Sequence, residues 1–177
     1  MFSRYSVLFT ISLVAALAVF GGCDRGPDLK PVAAAVKTID ERFAVSVGDR
    51  TVQMQVAVTP EEMERGLMFR KTMGPDEGML FIYATPTQMN FWMRNCDIPL
   101  DIGFFDGAGE LKEIYPMYPH DEKTVSSHSH NLRFALEMNQ GWYERSGVRA
   151  GAKLDLKAVA EAVRARGIKP DTLGLAP

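Results

Sequence analysis

Residues 43–58 read FAVSVGDRTVQMQVAV, two apolar runs separated by a turn at Gly48 and Asp49. In the second run, apolar residues alternate with Gln or Ala from Val52 to Val58. That period of two is typical of a strand with one face in a hydrophobic core. A Gly-Asp step between two such runs predicts a β-hairpin. The folded part of the chain is therefore expected to begin with a hairpin.

Short apolar runs continue beyond this hairpin at the spacing of further strands. They are MLFIYA (79–84), QMNFWMR (88–94), DIGFF (101–105), ELKEIY (110–115), LRFALEM (132–138) and KLDL (153–156). The intervening DGAG at 106–109 predicts a second hairpin. Many short strands with only small helices predict a mainly β fold, in the form of a compact β-barrel or β-sandwich-like domain.

Short helices are predicted beside the strands. Thr59 can cap a helix in which Glu62 completes a capping box, and Gly66 ends that helix within two turns. GWYERSG at 141–147 is expected to form one helical turn. A further helix is predicted within residues 156–177, where apolar residues follow a helical period. Its apolar face is mostly Ala and Val, so we expect a weakly packed C-terminal helical tail outside the core.

Five ordered motifs occupy the middle of the chain. They are RGLMFR (65–70), GMLF (78–81), FWMRN (91–95), IPLDIGFF (98–105) and LEMNQGW (136–142). This ordered set resembles the domain of unknown function family 192 of bacteria and archaea, over about residues 43–155. The resemblance implies a compact, mainly β domain that is often exported behind a signal peptide or a lipobox. It implies no particular reaction.

The first 22 residues have the features of a secretory signal peptide. Arg4 precedes an apolar stretch at 5–20, which is shorter than the roughly 20 residues that span a bilayer as a helix. The following FGGC resembles a bacterial lipobox, so we expect residues 1–22 to be removed and Cys23 to be lipidated. Residues 23–42 would then form a tether. The predicted location is a bacterial membrane, with the domain facing the periplasm or the cell exterior.

Composition excludes several classes of protein. The chain has 20 Lys and Arg against 22 Asp and Glu, and it lacks a basic run, which argues against nucleic acid as a partner. Its hydrophobic content of 46% is enough for a packed core. With Cys23 lipidated, Cys96 has no intramolecular partner. Its place beside an aromatic-rich run favours a buried thiol over a reactive one.

Polar side chains inside otherwise apolar motifs are the main candidates for a site. They are Arg65, Arg70, Asn95, Asp101 and Glu137. A buried charge needs a partner, so the arginines either pair with the carboxylates or help to orient a small polar ligand such as a sugar or a carboxylate. Alternation along FWMRN places Trp92 on the outer face, where a ligand, a loop or a partner would cover it.

Two other hypotheses compete with ligand binding. Asp101 and Glu137 would serve an envelope hydrolase as an acid/base pair if both opened into one pocket, although no nucleophile–base motif is present. His120, His128 and His130 could hold zinc or copper, and methionine thioethers favour Cu(I). We expect instead that the histidines lie in an exposed loop and that the methionines fill the core.

The sequence therefore predicts an exported, membrane-anchored lipoprotein that binds a small polar ligand or an envelope partner, without catalysis and without a cofactor. The predicted ligand-binding residues are Arg65, Arg70, Trp92, Asn95 and Asp101. Convergence of these residues on one concave surface would support this interpretation, whereas dispersal through the core would assign them to stability.

Overall fold

A computed structural model of the chain describes residues 35–175. The elements in chain order are β1 (Phe43–Val47), β2 (Arg50–Ala57), α1 (Pro60–Arg65), β3 (Glu77–Thr87), β4 (Asn90–Phe91), β5 (Leu100–Asp106), β6 (Leu111–Met117), β7 (Val125–Ser126), β8 (Leu132–Asn139), α2 (Trp142–Ser146), α3 (Leu156–Ala165) and a 3-10 turn (Pro170–Leu173). The predicted signal peptide, Cys23 and the start of the tether lie outside the described residues.

A six-stranded mixed sheet forms the centre of the described domain, in the order β1-β2-β3-β8-β5-β6. Strands β2 and β3 are parallel, and the other neighbours are antiparallel. Both predicted hairpins, β1-β2 and β5-β6, are confirmed. Within residues 35–175 no pairing joins β1 to β6, so the mainly β prediction holds but a closed barrel is not formed.

The parallel pair requires the chain to cross from one end of the sheet to the other between β2 and β3. Parallel neighbours need a crossover connection, and here the connection carries α1. The predicted capping box of α1 is present: the Thr59 side chain accepts a hydrogen bond from the Glu62 backbone N–H, and the Glu62 carboxylate accepts one from the Thr59 backbone N–H. The crossover therefore places a short, well-capped helix beside one face of the sheet.

Each face of the sheet is covered by its own hydrophobic core. Alternate residues of β3 contribute to the two cores: Leu80 and Ile82 face one, and Met79 and Phe81 face the other. The first core is completed by α2 and α3, and the second by residues of the β4 segment. Because both faces are buried, the central strands form nearly continuous apolar runs.

The C-terminal helix α3 is part of the first core, contrary to the predicted tail. Val159 and Val163 are fully buried there, and Asp155 caps the helix by accepting hydrogen bonds from two backbone N–H groups. Small Ala and Val side chains allow the helix to approach the sheet closely, which the expectation of weak packing overlooked. The predicted KLDL strand is reduced to isolated bridges at Lys153 and Leu154.

The predicted strand QMNFWMR is also shorter than expected. Only Asn90 and Phe91 form strand β4, which pairs with β7 in a small separate sheet. Beyond Phe91 the backbone turns: the Cys96 N–H donates to the Met93 carbonyl, and Asn95 has a φ of 56°. The alternation is kept through Phe91, Trp92 and Met93, of which only Trp92 is exposed. Asn95, predicted by the same alternation to share the buried face of Phe91 and Met93, is exposed because the backbone turns there.

Candidate functional site

A cleft of about 280 Å³ lies between α1 with its following turn and the β4 segment, above the second core. We call it the α1 cleft. It is lined by Met63, Glu64, Arg65, Gly66, Leu67, Met68, Phe81, Tyr83, Asn90, Phe91, Trp92, Cys96 and Glu137. Its volume is slightly below the usual range of about 300–1,000 Å³ for ligand pockets. Four parts of the chain, at residues 63–68, 81–83, 90–96 and 137, therefore meet at this one concave surface.

The α1 side of the cleft is held by interactions at both ends of the helix. Glu62 takes part in the capping box, and its carboxylate also forms an ion pair with Arg166, whose side chain is only 6% exposed. Gly66 follows α1 with a φ of 47° and a ψ of −130°, a conformation that suits glycine. A Cβ at Gly66 would lie 3.4 Å from the Phe81 ring. The chain can therefore turn tightly against the cleft.

Glu137 provides the buried carboxyl group of the cleft. It lies on β8 between Met79 of β3 and Ile102 of β5, and it is only 5% exposed. Among residues 35–175 no side chain or backbone group donates a hydrogen bond to its carboxyl group, and no cation pairs with it. Burial raises the pKa of Glu137 to about 8. At neutral pH this group is mostly an uncharged acid.

The Glu137 carboxyl group opens toward the cleft rather than into the core. Every fully enclosed side-chain oxygen or nitrogen in the described part of the chain has a hydrogen-bond partner. Since the Glu137 oxygens have none, they are not fully enclosed, and the residue lines the α1 cleft. Buried polar groups in native proteins are normally hydrogen-bonded, so this one is a candidate for contact with a ligand.

Aromatic rings form much of the cleft wall. Phe81 and Phe91 meet edge to face with their centroids 5.0 Å apart. Trp92 is 43% exposed, and the Arg94 guanidinium lies 5.6 Å from its ring centroid. Tyr83 is half-buried, and burial together with the nearby Glu137 charge raises its pKa. The cleft thus combines aromatic rings and polar side chains around a single buried acid.

The Cys96 thiol also lies in the cleft, and the prediction that it is buried is confirmed. Burial, with smaller effects from Glu137 and Asp97, raises the pKa of Cys96 to about 11. A cysteine activated for nucleophilic attack has a lowered pKa. At neutral pH Cys96 is therefore a protonated thiol that packs in the second core.

Three of the predicted ligand-binding residues lie in or beside the α1 cleft. Arg65 and Trp92 line the cleft, and both also line a shallower groove of about 370 Å³ beside it. Asn95 lines that groove together with Arg94. The structure therefore brings three of the five predicted ligand-binding residues, Arg65, Trp92 and Asn95, close to one another.

Arg70 and Asp101 lie elsewhere. Arg70 donates a hydrogen bond of 2.5 Å to the Gln55 side chain, and burial lowers its pKa. Asp101 accepts a hydrogen bond of 2.6 Å from the Gly141 N–H, and burial raises its pKa. Asp101 pairs with Met138, the residue after Glu137, so the two carboxylates lie on opposite faces of the sheet. They cannot act as one acid/base pair.

The other predicted arrangement, in which the arginines pair with these carboxylates, is also absent from the described residues. Among residues 35–175 neither Arg65 nor Arg70 forms an ion pair with Asp101 or Glu137. Of the ion pairs within the described residues, the most buried joins Arg166 and Glu62.

The three histidines do not converge on a metal site. The His120 Nε2 atom lies 3.2 Å from a carboxylate oxygen of Asp97, and the centroids of the His128 and Tyr115 rings are 6.2 Å apart. His130 is exposed. Over residues 35–175 no three His, Cys, Asp or Glu side chains are grouped closely enough to hold a metal ion. Met79 and Met93 lie in the second core, as expected for core-filling residues.

Unusual backbone geometry is concentrated near the cleft. Within the described residues, the non-glycine residues with positive φ are Phe69, Asn95 and His120. The Phe69 N–H donates to the Asn95 carbonyl, and the His120 N–H donates to the Cys96 carbonyl, so these segments meet around the β4 side of the cleft. Such conformations are costly and cluster at functional sites. This grouping is consistent with a site at the α1 cleft.

Sequence reasoning missed part of the cleft wall. Phe81, Tyr83, Asn90 and Phe91 line it but were interpreted only as strand residues. Phe81 and Phe91 each belong to one of the five motifs, GMLF and FWMRN, and this membership is the feature of the sequence that points to them. The sequence alone does not reveal their contact, because Phe81 and Phe91 lie on strands of two separate sheets that meet only in the tertiary structure.

The comparisons with known proteins agree with this description without assigning an activity. No helix among the described residues is both long and apolar enough to cross a membrane. No curated protein matches the chain. A solved structure from Sinorhizobium meliloti 1021, named a "putative transcription regulator", is 32% identical, with a TM-score of 0.62 over 64% of this chain and 92% of that one.

A second solved structure, a protein of unknown function from Novosphingobium aromaticivorans DSM 12444, is also 32% identical. Its TM-score is 0.63 over 71% of this chain and 94% of that chain. The family model of DUF192, described as Uncharacterized ACR, matches residues 43–156, which include the whole α1 cleft. The chain therefore belongs to the domain of unknown function family 192.

Proposed function

We propose that this protein is an exported lipoprotein whose domain binds a small polar ligand in the α1 cleft without converting it chemically. The observation that carries the proposal is Glu137: a buried carboxyl group that opens into an aromatic cleft and lacks a partner among residues 35–175. A ligand that forms a hydrogen bond with this carboxyl group would bind more tightly for it, because the domain provides no hydrogen bond there that the ligand would have to replace.

A small ligand fits this position better than an envelope protein does. Glu137 is buried, whereas Arg65 and Trp92, which line the same cleft, are exposed. A protein surface would meet the exposed Trp92 first, whereas a small molecule can enter a cleft of about 280 Å³. Aromatic walls that carry several polar groups are typical of small-molecule sites.

Binding is favoured over catalysis by the separation of the titratable groups. A hydrolase with two carboxyl groups needs both at one reacting bond, but Asp101 and Glu137 lie on opposite faces of the sheet. Cys96, the thiol in the cleft, has a raised pKa and therefore little thiolate at neutral pH. These groups suit recognition of a ligand more than attack on it.

The test is to titrate the full chain, in a mild detergent, with a panel of small polyols, sugars, amines and carboxylates while recording the heat of binding by calorimetry. We expect at least one class to bind, and Trp92→Ala to weaken that binding by about tenfold, because the ring forms part of the wall. Tyr118→Ala, which removes another exposed aromatic residue, is the matched control. Equal binding by the two variants would refute the placement of the site.

The membrane anchor has a separate test. If Cys23 is lipidated, the chain will be recovered in the membrane fraction of bacterial cells, and Cys23→Ser will release it. Cys96→Ser is the control, since it removes the thiol that lies inside the folded domain. Release by the control variant, or retention of Cys23→Ser, would contradict anchoring through Cys23.

A further inference from the structure

We infer that the ligand of the α1 cleft is an organic cation, whose ammonium group pairs with the Glu137 carboxylate among the aromatic rings. This inference rests on the proposed function and narrows it to a chemical class. It starts from the absence, within residues 35–175, of any cation or hydrogen-bond donor on the Glu137 carboxyl group.

The geometry around Glu137 suits a positive charge from outside the chain. A buried carboxylate is costly unless a cation or several donors compensate it. The neighbours across the sheet are Met79 and Ile102, which can supply neither. An ammonium group that enters through the cleft would therefore provide the charge that the domain itself does not.

The walls of the cleft favour a cation for a second, independent reason. The faces of aromatic rings attract cations, and desolvated sites strengthen the attraction. Phe81, Phe91 and Tyr83 surround the space next to Glu137, and Trp92 stands at its mouth, where it already faces the Arg94 guanidinium. A carboxyl group enclosed by aromatic rings is the arrangement that recognises alkylammonium groups.

Other charged or titratable groups do not cancel this preference. Those around the cleft are Tyr83 on β3, Cys96 after β4, Glu64 and Arg65 on α1, and Arg94 beside Trp92. Tyr83 and Cys96 have raised pKa values and are neutral at physiological pH. Glu64, Arg65 and Arg94 are exposed to solvent, so among the residues that line the cleft the buried acid is Glu137.

Binding of a cation must displace the proton of Glu137. Since the pKa of the free acid is about 8, the site releases about 0.9 proton per ammonium bound at pH 7. For the same reason the apparent affinity rises about fiftyfold between about pH 6 and about pH 8, while an alkylammonium remains charged. A neutral polar ligand would instead hydrogen-bond to the acid form and release no proton.

The experiment is calorimetric titration of the full chain with n-butylammonium, 1-butanol, butyrate and glycerol, in two buffers that differ in ionisation enthalpy. We expect n-butylammonium to bind with proton release and with the pH dependence above. Glu137→Gln should lose at least tenfold in ammonium affinity and all of the proton release, because an amide cannot become an anion. Glu144→Gln, an exposed carboxylate on α2, is the matched control.

The outcomes separate this inference from the proposed function. If 1-butanol or glycerol binds as tightly as n-butylammonium and without proton release, the inference that the ligand is a cation is wrong. The proposal of a polar-ligand site would still stand. Ammonium binding that is unchanged in Glu137→Gln would also overturn it, since the charge recognised would lie elsewhere. Failure of n-butylammonium to bind at any concentration that the protein tolerates has the same meaning.

Discussion

Replacement of Glu137 by Gln is expected to remove a large pH dependence from the stability of the domain. In the folded chain burial raises the pKa of Glu137 from 4.5 to about 8, and the carboxyl group has no partner among the described residues. In the unfolded chain it titrates near the ordinary value. Between those two pH values the folded state therefore holds a proton that the unfolded state has lost.

The sign and size follow from proton linkage. A state that binds more protons loses stability as the pH rises, so the folded chain becomes less stable from about pH 4.5 to about pH 8. Each pH unit in that window is worth about 1.4 kcal/mol. For Glu137 this amounts to a loss of about 3 kcal/mol between pH 4.5 and pH 7, relative to a variant that cannot ionise.

The assay is urea unfolding of the wild-type chain, Glu137→Gln and Glu144→Gln at about pH 4.5 and about pH 7. Any constant effect of the new amide cancels in the difference between the two pH values, as do the other carboxylates. Between about pH 4.5 and about pH 7, the free energy of unfolding of Glu137→Gln should rise by about 3 kcal/mol relative to that of the wild type. The free energy of unfolding of Glu144→Gln should change with pH as that of the wild type does. If the free energy of unfolding depends equally on pH in all three proteins, the conclusion that Glu137 is buried without a compensating partner is refuted.

Three further predictions concern the frame around the cleft. Arg166→Met should lower the free energy of unfolding by about 3 kcal/mol, because it leaves the Glu62 carboxylate without its buried cation; an unchanged urea midpoint would contradict this. Gly66→Ala should cost about 1–3 kcal/mol in thermal unfolding, since alanine is strained at a φ of 47° and its Cβ would lie 3.4 Å from Phe81. The Cys96 thiol should resist an aromatic disulfide reagent at neutral pH until the chain is unfolded, as read by mass mapping of its peptide; fast labelling of the native chain would argue against its burial.

Local features of the fold could be predicted because they depend on neighbouring residues. The hairpin at Gly48 and the capping box of Thr59 and Glu62 each involve contacts within a few positions, and both are present. The family could likewise be predicted, since five ordered motifs stand in the sequence itself. The open sheet could not, because strand spacing does not specify which strands pair.

The C-terminal helix marks a second limit of the sequence. Its period and its Asp155 cap predicted the helix correctly, but its Ala and Val face suggested weak packing. Small side chains give a helix little apolar surface on their own, yet they let it lie close to a sheet. Whether these Ala and Val side chains become buried depends on the element that packs against the helix. Here β1 and the other residues of the first core pack against it.

For the candidate site, the sequence by itself identified Glu137, Arg65 and Trp92 as polar or outward-facing residues within apolar motifs. Only the tertiary structure decided that these three share a cleft and that Asp101 does not. The physical reason is the two-residue period of β5: Asp101 and its neighbour Ile102 point to opposite faces, and pairing with β8 aligns Ile102 with Glu137. Because Asp101 lies one position away from the residue opposite Glu137, the two carboxyl groups face different sides of the sheet and the predicted acid/base pair is not formed.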